Sequence, residues 1–222
     1  IQSAYGKYSI EDTAFIVRSN KRANAYNQQI RMKILDKESE LSAGDYLMVV
    51  KNNYFWLKET DEAGFIANGD IARIRKIRRI EEKYGFRFAD AILSLIDYDG
   101  LELEAKLLLS TLNSESASLS HDDSKRMFNS ILEEYADLKT KKKQYDAVKD
   151  DPYFNAIQIK FAYAVTCHKS QGGQWDAVFI EQGYFTDQML TVDYLRWLYT
   201  ALTRAVKRLY LVNFHDSFFA KK

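Results

Sequence analysis

A group of polar side chains lies directly after a long apolar segment, residues 157–165. The group consists of Thr166, His168, Lys169, Ser170 and Gln171, and it is followed by Gly172 and Gly173. Donor side chains and free backbone N–H groups at the end of a strand are typical of phosphate sites, and glycine lets the backbone approach the ligand. Because Thr166 is of a residue type that favours a helix N-terminus, we expect a helix to begin there. The sequence predicts a phosphate-binding turn; the alternative is an ordinary strand–helix turn with a surface lysine.

Two arginines are further candidates for phosphate contacts. Arg204 lies near the end of a helical segment and just before the final strand, and its planar guanidinium suits phosphate oxygens. There it could stabilise the charge on a transferring γ-phosphate, or it could donate to the last carbonyls of the helix. Arg18, with Ser19 and Asn20, follows a buried strand. Polar residues are common in surface loops at such positions, so these three need no functional explanation.

A basic cluster and an aromatic cluster occur in the middle of the chain. The basic cluster contains Arg73, Arg75, Lys76, Arg78 and Arg79, and the aromatic cluster contains Tyr54, Phe55 and Trp56. The first could follow a phosphate backbone, although a solvated strand face is the commoner explanation. The second could stack on bases, although most aromatic residues of such a chain belong to its core.

The predicted secondary-structure pattern changes along the chain. Thr13–Val17 is a continuous apolar run, typical of a strand buried on both faces, and a helical pattern follows at residues 21–35. The middle has short strands, and its Asp99-Gly100 dipeptide favours a hairpin turn. The remaining predicted elements are a long helix at 122–149, strands at 157–165, 177–181 and 209–214, and a helix at 192–205.

This order of elements predicts an α/β fold with an insertion. A parallel-sheet domain, residues 1–40 and 152–222, is interrupted by residues 41–151, which we expect to form a small β-barrel with a helical arm. Pro152, the only proline, marks the expected boundary between them.

Composition excludes several classes of protein. The single cysteine, Cys167, excludes an internal disulfide framework and suits a cytoplasmic location. No apolar run approaches the length of a membrane span, and the beginning of the chain does not resemble a signal peptide. The net charge of +1 neither favours nor excludes nucleic acid. A start at Ile1 is what we expect of an excised fragment.

Three segments resemble motifs of the superfamily 1 DNA helicases, the group that includes the RecD-like and UvrD-like enzymes. Residues 161–172 are similar to motif V of the RecD-like, 5′→3′ branch, residues 198–205 to motif VI, and residues 15–20 to motif IV. Gly44-Asp45, Asn52-Asn53-Tyr54 and Asn68-Gly69-Asp70 resemble the opening of the SH3-like domain inserted in the second motor domain of these enzymes.

The resemblance implies a RecA-like domain of the P-loop NTPase type and a role for each candidate residue. Arg204 would contact the γ-phosphate of ATP and Arg18 would make another phosphate contact. Residues Gly172, Gly173 and Gln174 would lie near the nucleotide, where many relatives have a glutamate in place of Gln174. The side chains expected at single-stranded DNA are those of Ser19, Asn20, Thr166, His168, Lys169, Ser170 and Gln171.

The 222-residue sequence contains no glycine-rich phosphate loop. The nearest pattern, Gly6-Lys7-Tyr8, lacks an upstream glycine and a hydroxyl, and Asp61-Glu62 does not end an apolar strand. The resemblance implies that an N-terminal RecA-like domain holds most of ATP and Mg²⁺, that no metal site lies in this chain, and that the fragment alone is inactive. Its partners would be that domain, single-stranded DNA and a single-strand/duplex junction. The alternatives are a non-catalytic nucleic-acid-binding module and a structural subunit of a helicase–nuclease complex.

Overall fold

The computed structural model describes residues 1–57 and 64–219, so Asp61 and Glu62 lie outside the described residues. Its helices are α1 Gln2–Tyr8, α2 Asn20–Lys33, α3 His121–Glu134, α4 Lys141–Lys149 and α5 Val192–Leu202. Its strands are β1 Thr13–Val17, β2 Tyr46–Val49, β3 Ile71–Lys83, β4 Phe86–Leu95, β5 Leu101–Leu108, β6 Ile157–Phe161, β7 Ala164–Thr166, β8 Trp175–Glu181 and β9 Ala205–Val212. Two compact units result: a sheet unit, Ile1–Glu38 and Tyr163–Lys222, and a barrel unit, Ser39–Ala162.

The sheet unit contains a four-stranded parallel sheet in the order β7-β1-β8-β9. Every residue of β1 is buried, as predicted for a strand covered on both faces. A row of stacked rings crosses the sheet: Phe15 lies 5.7 Å from Phe179, which lies 4.3 Å from Tyr210. The predicted α/β parallel sheet is confirmed.

A buried asparagine fixes the edge strand β7 to helix α2. The side-chain amide of Asn27 donates to the Ala164 carbonyl over 2.9 Å, and its oxygen accepts from the Ala164 amide over 2.7 Å. Asn27 occupies the buried stripe of α2 between Ala23 and Ile30, where an apolar residue is the usual choice. This side chain therefore satisfies strand groups that no neighbouring strand pairs, and it positions the start of the polar segment at Thr166.

The barrel unit is a closed barrel of β2, β3, β4, β5 and β6, and the predicted insertion of a small barrel is confirmed. Asp99 and Gly100 have φ of 50° and 76°, the left-handed values that the dipeptide predicts. They do not form the predicted two-residue type I′ hairpin turn, because β4 ends at Leu95 and a 3-10 turn, Ile96–Tyr98, precedes them. A cluster of buried residues packs the helical arm on the barrel. It includes Phe86, Phe88, Leu108, Met127, Ile131 and Val148.

The apolar segment at 157–165 is two strands in two sheets, not the single strand predicted. Strand β6 pairs with β2 and β5 and closes the barrel, whereas β7 pairs with β1. The units consequently divide at 38/39 and 162/163, in place of the expected 40/41 and 151/152. An apolar run shows that a strand is buried, but its sheet depends on which distant strands it pairs with.

The predicted long helix at 122–149 is likewise two helices, α3 and α4. Thr140 begins α4 by accepting the Lys143 amide on its side-chain oxygen. Gln144 then donates to the carbonyls of Ala136 and Leu138 in the connecting turns. These side-chain bonds satisfy the backbone at the break, so the arm folds back on itself.

Among residues 1–57 and 64–219, no helix has the length and the apolar character needed to cross a bilayer.

Candidate functional site

The polar segment after β7 is a succession of turns, and the expected helix beginning at Thr166 is absent. The Thr166 carbonyl accepts from the amides of Lys169 and Ser170, over 2.9 and 3.1 Å. The amides of Cys167, Gln171 and Gly173 also donate to backbone carbonyls. The backbone N–H groups that a helix N-terminus would direct at a phosphate are therefore largely used within the turns.

The side chains of this segment differ sharply in exposure. His168 and Gln171 are exposed and Thr166 is half-buried, so these three can reach a ligand. Ser170 is fully buried, and its hydroxyl donates to the Cys167 carbonyl over 2.8 Å. Ser170 thus holds the turn in shape rather than facing the surface that the sequence assigned to it.

Lys169 carries a buried amino group that has no hydrogen-bond partner among the described residues. Burial lowers the pKa of this group, because a low-dielectric environment disfavours its charged form. A buried, unpaired ammonium is costly, so a nearby anion would stabilise this lysine.

Cys167 anchors the turns to β1 and to α5. Its amide donates to the Val17 carbonyl over 3.2 Å, and its thiol lies 3.4 Å from the Trp197 carbonyl. The residue packs in a cluster with Ile16 and Ala201, and burial raises the pKa of its thiol. Cys167 therefore serves packing and is not an activated nucleophile.

The second of the two glycines makes room for a tryptophan. A Cβ atom at Gly173 would lie 2.4 Å from Cη2 of Trp175, whereas one at Gly172 would meet nothing within 4 Å. Gly172 instead has a φ of +85°, which glycine adopts without strain. The sequence suggested that both glycines let a ligand approach, but in the structure the space at Gly173 is filled by the Trp175 ring. Gln174, which lies between Gly173 and Trp175, is exposed.

Arg204 joins the turns to the end of helix α5. Its Nε donates to the Thr200 carbonyl over 3.0 Å, and Nη1 donates to the Gly173 carbonyl over 3.1 Å. Nη2 donates to the Thr203 hydroxyl over 3.1 Å, and no carboxylate forms an ion pair with Arg204 within the described part of the chain. Both interpretations of this arginine have structural support, since it caps carbonyls of the helix and keeps an uncompensated charge.

Arg18 contacts the same helix from the carboxyl end of β1. Its guanidinium lies 5.3 Å from the ring centre of Tyr194 and 5.6 Å from that of Trp197, and its side chain is exposed. Ser19 accepts the Arg22 amide and begins α2, of which Asn20 is the first residue. The structure therefore brings Arg18 and Arg204 against one helix, and gives Ser19 a capping role.

An ion pair that sequence reasoning missed closes the carboxyl end of β8. Arg22 binds the carboxylate of Glu181, which is 1% exposed, and its Nε lies 3.2 Å from Oε2. The partners are far apart in sequence, and the available signal was a glutamate ending an apolar strand.

The basic cluster of β3 is mostly paired. Arg75 and Arg78 bind two glutamates of β5, Glu102 over 3.3 Å and Glu104 over 2.8 Å. Arg79 binds Glu81 over 2.5 Å. The arrangement favours the solvated strand face over a track for a phosphate backbone.

Residues 161–212 match the family model of the UvrD-like helicase C-terminal domain. This part of the chain is similar to a helicase C-terminal domain. The match contains the turns after β7, helix α5 and Arg204, and it confirms the resemblance to superfamily 1 helicases. Arg18, Ser19 and Asn20 lie outside the matched residues.

Solved helicase structures are also similar to this chain. Pif1 helicase from Candida albicans has 14% identity and a TM-score of 0.47 over 95% of this chain and 47% of its own. Pif1 helicase from Bacteroides, in complex with ADP-AlF3 and ssDNA, has 12% identity and a TM-score of 0.47 over 95% and 42%. These scores are too low to establish a shared function. The chain spans less than half the length of these proteins, and no curated protein sequence matches it.

Proposed function

We propose that this chain is the second motor domain, with its barrel insertion, of an ATP-dependent helicase that moves along single-stranded DNA. The observation that carries the proposal is the state of Arg204. Within the described residues, its guanidinium is held between α5 and the turns after β7 by neutral oxygen atoms. A phosphate would replace these acceptors with charge-assisted hydrogen bonds, and no ion pair would have to break.

The contact between Arg204 and Gly173 gives a route from nucleotide to DNA. When Arg204 turns toward a γ-phosphate, the Gly173 carbonyl loses its donor, and the turns from Thr166 to Gly173 lose one of their anchors. Thr166 and His168, near the start of those turns, are the side chains proposed to contact the strand, together with Asn20. Phosphate binding at one end of the segment would thereby change the grip on DNA at the other.

ATP and Mg²⁺ would be held chiefly by an N-terminal RecA-like domain, and ATP would supply the γ-phosphate whose transfer drives the motor. In this chain, Arg204, Arg18 and the exposed Gly172 and Gln174 fit such a ligand, because neither arginine forms an ion pair within the described residues and both Gly172 and Gln174 are accessible. The domain that supplies the phosphate loop, single-stranded DNA and a single-strand/duplex junction are the proposed partners.

The decisive experiment replaces Arg204 by alanine in the protein that contains both motor domains. DNA-stimulated ATP hydrolysis should fall by at least ~10³-fold, because an arginine at the transferring phosphate contributes that much. DNA binding without nucleotide should change little. Arg208→Ala is the matched control, since Arg208 is an exposed arginine of β9 outside the proposed site.

One result would contradict the proposal. Hydrolysis by Arg204→Ala at the rate of Arg208→Ala would remove its assigned role and favour a purely structural arginine. That outcome would support the alternative of a non-catalytic binding module or structural subunit, for which the helix-capping contacts of Arg204 are the favouring observation. We also expect the 222-residue chain alone to show no ATP hydrolysis, because it contains no glycine-rich phosphate loop.

The direction of movement is proposed as 5′→3′, on the likeness of residues 161–172 to motif V of the RecD-like branch. Duplexes with a single-stranded tail at either the 5′ or the 3′ end test it. The protein with both motor domains should unwind the substrate with a 5′ tail, and preference for the 3′ tail would reverse the assignment while leaving the motor function in place.

A further inference from the structure

A cavity of about 340 Å³ lies within the barrel unit. Its walls are the loop at residues 51–55, helix α3, the last residue of α4, and residues 150–158 that follow it. Small-ligand sites begin at about 300 Å³, so the volume suits a nucleobase with its sugar rather than a large ligand. The helical arm, whose role the sequence left open, supplies one side of it.

Two aromatic rings in the lining are exposed and backed by other rings. Tyr54 is 62% exposed and stacks on Phe65 at 5.0 Å, and Phe154 is 36% exposed and meets Phe128 edge-to-face at 5.7 Å. An exposed ring that is held in place by a second ring is a stacking platform with little ordering left to do on binding. The cavity thus offers two flat aromatic surfaces on which a base can stack.

Lysines supply the charge of the lining. Lys51 and Lys149 are exposed, and neither forms an ion pair with another described residue, unlike Lys83 of the same unit, which binds Glu134. Asp150 also lines the cavity, so two positive charges face one negative charge. This balance favours an anionic ligand with a phosphate.

The loop that carries Tyr54 is fixed to the segment after α4. Asn53 donates to the Asn155 carbonyl over 2.7 Å, and the Trp56 indole donates to the same oxygen over 2.9 Å. The Asn53 oxygen accepts from the amides of Phe55 and Trp56. These bonds occupy polar groups of Asn53 and Asn155, two residues of the lining, and the rings and the lysines remain for the ligand.

We infer that this cavity binds one unpaired nucleotide of a single strand, with the base on Tyr54 or Phe154 and the phosphate at Lys51 or Lys149. The inference rests on the proposed function for the class of its ligand. It adds a second contact with the strand, on the barrel unit and separate from the turns after β7.

Photo-crosslinking of the 222-residue chain locates the nucleotide directly. The probe is a single-stranded oligodeoxynucleotide of roughly eight nucleotides that carries 4-thiothymidine, a length within the range one small barrel binds. Mass spectrometry should find crosslinks in peptides containing residues 51–55 or 149–154. Because this readout uses the unaltered chain, it does not depend on how any variant folds.

Substitutions then measure the contribution of each group by fluorescence anisotropy. Tyr54→Ala should weaken binding of the oligonucleotide by about 5-fold or more, whereas Tyr54→Phe should keep the parent affinity. Lys149→Gln should reduce the slope of log affinity against log salt by about 0.7. Lys142→Gln is its matched control, because Lys142 is exposed on the same helix and does not line the cavity.

Two outcomes would overturn the inference. Crosslinks confined to residues 18–20 and 166–174, with unchanged affinity of Tyr54→Ala, would leave the proposed function standing and remove the barrel site. Competition by thymidine monophosphate at the affinity of the strand would identify a free-nucleotide site instead. Loss of the proposed motor function is scored separately, by ATP hydrolysis of Arg204→Ala.

Discussion

Arg204 and Arg18 of the sheet unit's candidate site have different partners from Lys106, a buried lysine of the barrel unit. Arg204 donates to carbonyl and hydroxyl oxygens, and Arg18 lies over two aromatic rings. In the barrel unit, Lys106 is 6% exposed and binds the carboxylates of Glu81 over 3.0 Å and Asp90 over 2.6 Å. The charges of Arg204 and Arg18 remain available to an anionic ligand, whereas the charge of Lys106 is neutralised by carboxylates.

This difference separates binding from folding. A buried cation between carboxylates is needed for the stability of the fold, because removal of either partner leaves an uncompensated buried charge. A cation on neutral acceptors gains when a phosphate arrives. The sheet unit also contains an ion pair with a buried carboxylate, Arg22 with Glu181. Whether a cation stabilises the fold or remains able to bind a ligand therefore depends on its own partner and not on the unit to which it belongs.

The largest stability effect should come from Lys106→Met. The substitution removes the lysine from both carboxylates and leaves Glu81 with the exposed Arg79, and we expect a loss of about 3 kcal/mol in the free energy of unfolding. Urea denaturation followed by circular dichroism measures it. Arg78→Ala, which breaks the exposed pair with Glu104, should cost no more than about 0.5 kcal/mol. Equal losses in the free energy of unfolding for the two variants would show that the buried ion pair of Lys106 contributes no more to stability than an exposed one.

A smaller effect is expected for Gly173→Ala. The new methyl group would press on the Trp175 ring and displace the carbonyl that holds Arg204, at a cost of about 1–3 kcal/mol. Gly6→Ala is the control, because Gly6 lies inside α1 with open space around it and alanine should be neutral or stabilising by up to about 1 kcal/mol. Thermal unfolding of both variants decides the matter, and a Gly173→Ala variant as stable as the parent would mean that the ring has room to move.

The smallest effect should be a loss of stability in acid. Burial raises the pKa of Glu81, but hydrogen bonds from Lys106 and Tyr153 and the charges of Lys106 and Arg79 bring it below its ordinary value of 4.5. Hydrogen bonds from Tyr84 and Lys83 likewise lower the pKa of Glu134.

A carboxylate with a lowered pKa stabilises the folded state above its ordinary pKa, and this contribution disappears as the pH falls through the folded value. The unfolding temperature of the parent should therefore hold down to about pH 4.5 and then decline. The decline should be shallower in Lys106→Met, which lacks the main partner of Glu81. Parallel curves for the two proteins would contradict the assignment of Glu81.

Local patterns predicted much of this molecule. The all-buried strand β1, the left-handed values at Asp99-Gly100 and the presence of an inserted barrel follow from apolar runs and turn residues. The two motif-bearing segments, at 161–172 and 198–205, were also recognisable as residue strings. These features depend on neighbours within a few positions, and the sequence displays such neighbours directly.

Pairing between distant segments had to come from the tertiary structure. Strands β6 and β7 are separated by two residues and belong to different sheets, because their partners, β2 and β1, lie far away in sequence. The burial of Ser170 and the contact of Arg204 with Gly173 arise in the same way. A side chain's type determines what it can bind, but its partner depends on which segments packing brings together, and no local pattern contains that information.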